Sequence, residues 1–251
     1  MDLLKKIESK KFNVGIIGLG YVGLPLAYSF SSKGIKTIGF DINKKQINLL
    51  KKNKSYLKHI SDSKIKIMNE KGFEVQSDLK KIKHLDVIII CLPTPLNEHN
   101  EPDLSAIINT GQAIAPYLQK NQLIVLESSS YPGTTDEILA KSLKGSKLKK
   151  NKDYFLAYSP EREDPGNKKF SLSNTPKVVS GFTKRCLMLC KTLYSKISSQ
   201  TVEVKDLKTA EAVKIYENIF RSINISLVNE MHIILSKLKI NIYDVIKAAK
   251  H

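Results

Sequence analysis

Tryptophan is absent from this 251-residue chain, aromatic side chains make up 7% of it, and cysteine occurs three times. Acidic residues are also short, with 24 Asp and Glu against 41 Lys and Arg, a net charge of +17. Each shortage excludes something. An odd number of cysteines without paired spacing excludes a disulfide framework and a structural zinc site. Cys186 and Cys190 lie four apart on an expected helix, but no His or Cys cluster nearby completes a ligand set, so no metal is expected. No basic, aromatic-interleaved strand or helix-turn-helix signature is present, so the lysines, spread along the whole chain, read as wet helix faces and nucleic acid is not an expected partner. The longest uninterrupted apolar run, Val87 to Leu92, is far too short to cross a bilayer. The first dozen residues are charged and lack the apolar core of an export signal. These exclusions place the chain in a reducing, cytoplasmic setting without a membrane partner. The positive field also suits the recruitment of anionic ligands.

What the chain does have is a complete dinucleotide fingerprint. Val14, Ile16 and Ile17 form a short apolar strand that ends in Gly18-Leu-Gly-Tyr-Val-Gly23. Gly18 permits the sharp turn out of the strand, Gly20 permits close approach of a pyrophosphate, and Gly23 permits tight packing of the next helix. That helix, expected from Tyr21 to Lys33, begins with Tyr21 and Val22 and offers its amides and positive dipole end to phosphate. A second strand, Ile38-Gly-Phe-Asp41, closes on a carboxylate about 20 residues later. There Asp41 accepts hydrogen bonds from the adenosine ribose hydroxyls and repels a 2′-phosphate, which selects NAD over NADP.

Beyond Asp41, strand and helix signals alternate. Helical stretches are expected over 44–54, around 64–71, over 103–119 with Asp103 as N-cap, from Thr135 and over 183–196. Strands are expected near 73–76, over 87–92, 123–126, 154–157, 177–180 and 201–204. This order predicts an α/β fold, a doubly wound Rossmann-type NAD-binding domain over 1–205 with a parallel sheet covered on both faces. From Lys208 the pattern becomes one long helix, the central or dimerisation segment 206–251. Val213, Phe220, Leu227, Ile234 and Leu238 recur there near heptad spacing, which predicts a spine between domains or subunits.

Three loops follow strand carboxyl ends, where such sheets place ligands. They are Cys91-Leu-Pro-Thr-Pro95, Glu127-Ser-Ser-Ser-Tyr-Pro-Gly-Thr-Thr135 and Tyr158-Ser-Pro-Glu-Arg-Glu-Asp-Pro-Gly166. Each joins backbone-fixing Pro or Gly to hydroxyl or carboxylate groups. On the long helix, Lys214 and Asn218 are four residues apart and project from one face, an arrangement able to stabilise a developing oxyanion.

These residues resemble the UDP-glucose/GDP-mannose dehydrogenase family along essentially the whole chain. The segments that carry the likeness are Gly20-Tyr-Val-Gly-Leu-Pro25, Pro93-Thr-Pro-Leu-Asn97, Glu101-Pro-Asp-Leu104, Tyr131-Pro-Gly-Thr-Thr135 and Ser159-Pro-Glu-Arg-Glu-Asp-Pro-Gly-Asn167. Pro165 and Gly166 point to the branch that oxidises UDP-N-acetylhexosamines, and among the gluco, galacto and manno epimers the pattern leans to UDP-N-acetylglucosamine. The resemblance implies a four-electron oxidation of the sugar C6 alcohol to a carboxylate with two NAD molecules in turn, through an aldehyde and a cysteine-bound thioester that water hydrolyses. It implies Glu161 as the acid/base that manages water, Lys214 and Asn218 as oxyanion stabilisers, and Ser129 as a hydroxyl that orients water. Thr94 and Ser129 are implied to lie near the cofactor. The product would serve surface polysaccharide synthesis, and the long helix would join a homodimer.

The sequence departs from the family at its end. The glycine-rich His-Cys segment that carries the nucleophile, and the second Rossmann-like domain, do not follow the long helix, so the chain matches the amino-terminal portion. Cys91 is the one cysteine near the crevice, and it reads as a buried small residue. Two alternatives stay open. One is a two-electron dehydrogenase of the 3-hydroxyacid or 6-phosphogluconate type, and the other is a non-catalytic NAD-binding module.

Overall fold

The computed structural model describes residues 2–162 and 175–249. The sheet has eight strands: β1 (Asn13–Ile17), β2 (Lys36–Phe40), β3 (Glu74–Gln76), β4 (Val87–Ile90), β5 (Gln122–Leu126), β6 (Tyr154–Tyr158), β7 (Lys177–Gly181) and β8 (Thr201–Glu203). Their spatial order is β3-β2-β1-β4-β5-β6-β7-β8. The order reverses between β1 and β4, so a crevice opens at the carboxyl ends of those two strands. All pairings are parallel except β6 with β7, which is antiparallel.

Helices cover both faces: α1 (Leu3–Glu8), α2 (Gly23–Ser32), α3 (Lys44–Lys51), α4 (Asp62–Glu70), α5 (Ser105–Ile114), the single turn α6 (Ala140–Ser142), α7 (Lys184–Tyr194), α8 (Leu207–Lys237) and α9 (Ile242–Ala249). Strand side chains point alternately to the two faces. Val14, Ile16, Val87, Ile89, Leu123 and Val125 accordingly face one core with α1, α2, α3, α4 and α7. Ile17, Ile88, Ile90, Ile124 and Leu126 face the other, with α5 and the first turn of α8. Because both faces are covered, the central strands read as unbroken apolar runs.

Some expectations need correction. The helix expected over 103–119 stops at Ile114, and the chain tightens to a 3-10 turn over Ala115–Tyr117. Pro116 has no N–H to continue the α pattern. Asp103 still closes the start, accepting from Ser105 N at 2.8 Å, but the N-cap position belongs to Leu104. The helix expected from Thr135 is irregular, a π turn over Thr134–Leu139, then α6, then a 3-10 turn over Leu143–Ser146. The first helical residue after the glycine turn is Gly23 rather than Tyr21. α1, whose Leu3 and Ile7 are buried at i and i+4, had no counterpart in the sequence pattern. Among the described residues no helix is long and apolar enough to cross a membrane.

Candidate active site

The crevice begins at the glycine turn. Gly18 has φ +89°, and a side chain there would collide with the carbonyl oxygen of Cys91. A side chain at Gly23 would collide with the carbonyl of Gly18, so α2 sits as close to β1 as backbone allows. At Gly20 an added Cβ would meet nothing within 4 Å. Open space therefore lies over Gly20, at the start of the ten-residue α2, where amides and helix dipole favour an anion. Tyr21 is 65% exposed beside it, with Val22 half-buried against the core.

Asp41 lies just past the end of β2, half-exposed. Its carboxylate accepts from Leu19 N at 2.9 Å and from Asn43 N at 2.8 Å, which orients it toward the glycine turn. The turn, the open space and the oriented acid fit an adenine dinucleotide with free ribose hydroxyls. When bound, NAD supplies the hydride acceptor.

The second half of the crevice is a buried polar cluster. Glu127 ends the β5 run and is 1% exposed; Lys177 begins β7 and is 3% exposed. The two form an ion pair, and Lys177 Nζ also lies 3.1 Å from Glu161 Oε2. Tyr194 of α7 donates to Glu127 Oε2 at 2.6 Å. Burial lifts the Glu127 carboxyl, Lys177 pulls it back and Glu161 lifts it further, leaving it at about 7. Burial alone would depress Lys177, but the two carboxylates together hold its ammonium above the ordinary lysine range.

α8 enters this cluster from the side. Lys214 Nζ donates to the carbonyl oxygen of Glu161 at 2.5 Å, so the structure brings together Glu161 and Lys214, 53 residues apart. Burial lowers the Lys214 ammonium below its usual range, against the opposing pull of Glu161 and Glu217. Asn218, one turn on, is exposed. Arg162 closes the junction by pairing with Glu217 of α8 at 2.6 Å. A cleft of about 620 Å³, lined in part by Arg162, Glu217, Phe220 and Arg221, adjoins the same face of α8. Pro165, Gly166 and the rest of the Ser159–Asn167 motif beyond Arg162 lie outside the described residues.

The loop after β5 is locked to α8 by Glu211, which is fully buried and accepts from Gly133 N at 2.7 Å, Thr135 N at 2.8 Å and Thr135 Oγ1 at 2.7 Å. Ser129 in this loop is exposed, and its carbonyl takes the Thr94 hydroxyl at 2.7 Å. Thr94 and Ser129 are thus joined at the rim, while Ser128 and Ser130 on either side are buried, Ser130 beside Tyr158. Sequence reasoning passed over Glu127, Lys177, Tyr194, Glu211 and Ser130. A glutamate and a lysine at the ends of otherwise apolar strands were the available signals. Cys91 is buried, and burial followed by the Glu127 charge holds its thiol well above the ordinary range, which removes it as a nucleophile. Among the described residues no His, Cys, Asp and Glu group is arranged to hold a metal.

Comparison with known proteins agrees with this geometry. Residues 12–198 match the NAD binding domain, and residues 208–251 the central domain, of the UDP-glucose/GDP-mannose dehydrogenase family. The chain is 40% identical over 239 residues to Protein CapL of Staphylococcus aureus, covering 94% of this chain and 55% of that one. It is 39% identical over 241 residues to a UDP-N-acetyl-D-glucosamine 6-dehydrogenase of Salmonella typhi, again covering 94% and 55%. A solved structure of a UDP-D-ManNAc dehydrogenase from Pyrococcus horikoshii superposes with TM-score 0.85 at 30% identity, covering 95% of this chain and 57% of that one. The chain thus spans about half the length of the relatives it matches. It belongs to the UDP-glucose/GDP-mannose dehydrogenase family, whose NAD-binding domain it carries.

Proposed function

We propose that this chain is the cofactor-binding and acid/base portion of an NAD-dependent dehydrogenase that oxidises the C6 alcohol of UDP-N-acetylglucosamine to the uronic acid, a four-electron reaction serving surface polysaccharide. The observation that carries the proposal is the junction of Glu161 and Lys214 beside a dinucleotide crevice. The two relatives named for UDP-N-acetylhexosamine oxidation support the substrate.

In this reading Lys214, with Asn218 one turn on, supplies the positive charge and amide that stabilise oxygen as it gains charge. Glu161 exchanges a proton with water, its carboxylate held by Lys177. The rim hydroxyls of Ser129 and Thr94 orient water and border the cofactor. Gly18, Gly20, Tyr21, Val22, Gly23 and Asp41 hold the dinucleotide. We assign residues 1–205 to the NAD-binding domain and 206–251 to a helical segment that joins a homodimer. The exposed apolar residues of α8 support the dimer. Three free cysteines support a cytoplasmic location.

The test is NADH release on mixing NAD and UDP-N-acetylglucosamine with the chain alone and with the product of the full reading frame that encodes it. Two NADH per sugar consumed would uphold the proposal. One NADH would favour a two-electron dehydrogenase, and none, with NAD still bound, a binding module.

A further inference from the structure

Leu19 is the middle residue of the Gly18-Leu-Gly20 turn, and both of its peptide groups are held by side chains. Asp41 Oδ2 takes its N–H at 2.9 Å, and the Tyr56 hydroxyl donates to its carbonyl oxygen at 2.5 Å. The side chain is fully buried, so the residue has no freedom left. A trans peptide is planar, with its C=O and N–H pointing opposite ways. The carbonyl of Leu19 and the N–H of Gly20 belong to one such plane. A donor that fixes the first therefore fixes the second, directing the Gly20 N–H away from Tyr56.

Tyr56 is placed for this by a built segment. Leu57 and Ile60 are buried and anchor it to the core. Its ends are tied by Lys54 to Asp62 at 2.8 Å and by Ser55 N to Asp62 Oδ1 at 2.8 Å. His59 of the same segment stacks on Tyr21 of the fingerprint, ring centroids 5.2 Å apart and planes inclined by 18°. The segment therefore meets the fingerprint at two points, one on each side of Gly20. Burial, and then the Asp41 charge, hold the Tyr56 phenol well above its ordinary range, so it remains a donor at physiological pH.

We propose that Tyr56 is a positioning residue of the dinucleotide site, which acts through the Leu19–Gly20 peptide to aim the Gly20 amide at the pyrophosphate. The inference rests on the NAD-binding reading and adds to it a residue 36 positions beyond Gly20.

The experiment is calorimetric binding of NAD and NMR-detected binding of adenosine to the whole chain and to its Tyr56→Phe variant, which keeps the ring and removes the hydroxyl. Loss of one hydrogen bond that orients a donor predicts NAD binding weakened roughly three- to tenfold and adenosine binding unchanged, with a cooperative melt retained at a modestly lower temperature. Equal NAD affinity in the variant would overturn the proposal. So would parallel loss of NAD and adenosine, which would make Tyr56 a packing residue only. A wild-type chain that binds no NAD would instead sink the cofactor reading itself. A second measurement needs no variant. Titration of the wild type with inorganic pyrophosphate should shift the Gly20 amide resonance in the nitrogen–proton spectrum, with the Tyr56 hydroxyl proton slow to exchange. A stationary Gly20 resonance, or a freely exchanging hydroxyl, would overturn the proposal independently.

Discussion

Asp41 and Glu127 show how differently two carboxylates are used in one crevice. Asp41 is half-exposed and bonded to two amides, so its charge is supported locally and remains available to a ribose. Replacing it by alanine removes the clamp on Leu19 and, in the proposed reading, the ribose contacts. NAD should bind roughly tenfold more weakly, with discrimination against NADP relaxed, as measured by calorimetry with both cofactors. Unchanged affinity for both would move the ribose site elsewhere. Glu127 is buried, its carboxylate held by Lys177 and Tyr194. Its folded value of about 7 lies above the unfolded value of 4.5, so the folded state holds the proton more tightly. The stability this group contributes is full below the unfolded value and is lost as pH rises through about 7. Thermal melts between pH 5 and 8 should therefore be flatter in Glu127→Gln than in the wild type, and an equal slope would show that Glu127 does not titrate there. Lys177→Met removes the cation that faces the buried Glu127 carboxylate and should cost about 3–5 kcal/mol by denaturant titration. The position of Asp41 past the end of β2, against the glycine turn, was legible in the sequence because it depends on a strand end and a fixed spacing. The Glu127–Lys177 pair was not, because its partners stand 50 residues apart and meet through the sheet. Ser129 and Ser130 were indistinguishable by type, and only the path of the loop decides which hydroxyl is buried.

At the scale of elements, the three fingerprint glycines divide into different duties that substitution can separate. Gly23→Ala forces α2 away from the Gly18 carbonyl. It should cost about 1–3 kcal/mol of stability, as over-packing does, and carry NAD binding down with it. Gly20→Ala puts its methyl into open space, so the melting temperature should hold while NAD affinity falls. A Gly20→Ala chain that binds NAD normally would mean the pyrophosphate lies elsewhere. The close approaches at Gly18 and Gly23 were readable beforehand because each follows from backbone geometry within a few residues. The direction of β7 was not readable, since alternation of apolar residues is the same for parallel and antiparallel strands. It matters to the site: β7, antiparallel to β6, starts at the carboxyl end of the sheet, and that places Lys177 against Glu127 and Glu161. The end of α5 was missed, although the absent N–H of Pro116 was a signal for it.

Across the whole molecule, the least balanced feature is α8. Its first turn docks on the sheet through Leu207, Ala210 and Glu211, and Val213 still packs on the core. Beyond it the heptad-spaced residues stand in solvent, with Phe220 59%, Leu227 57%, Ile234 52% and Leu238 64% exposed. The period was legible in the sequence, but periodicity reports that a helix has an apolar face, not what covers it. Burying each such side chain is worth about 1.5–3 kcal/mol, so a stripe of this length is a strong association surface. A second copy of α8 would present the same stripe at the same spacing, as a two-fold interface requires. The expected outcome is a dimer in sedimentation velocity at micromolar concentration. Phe220→Asp combined with Leu227→Asp should give monomers, because paired carboxylates cannot be buried face to face without countercharge. Both positions lie beyond the docked turn, so the variant's NAD affinity should match the wild type. A wild-type chain that sediments as a monomer would refute self-association through α8, and a variant that stays dimeric would place the contact on another surface.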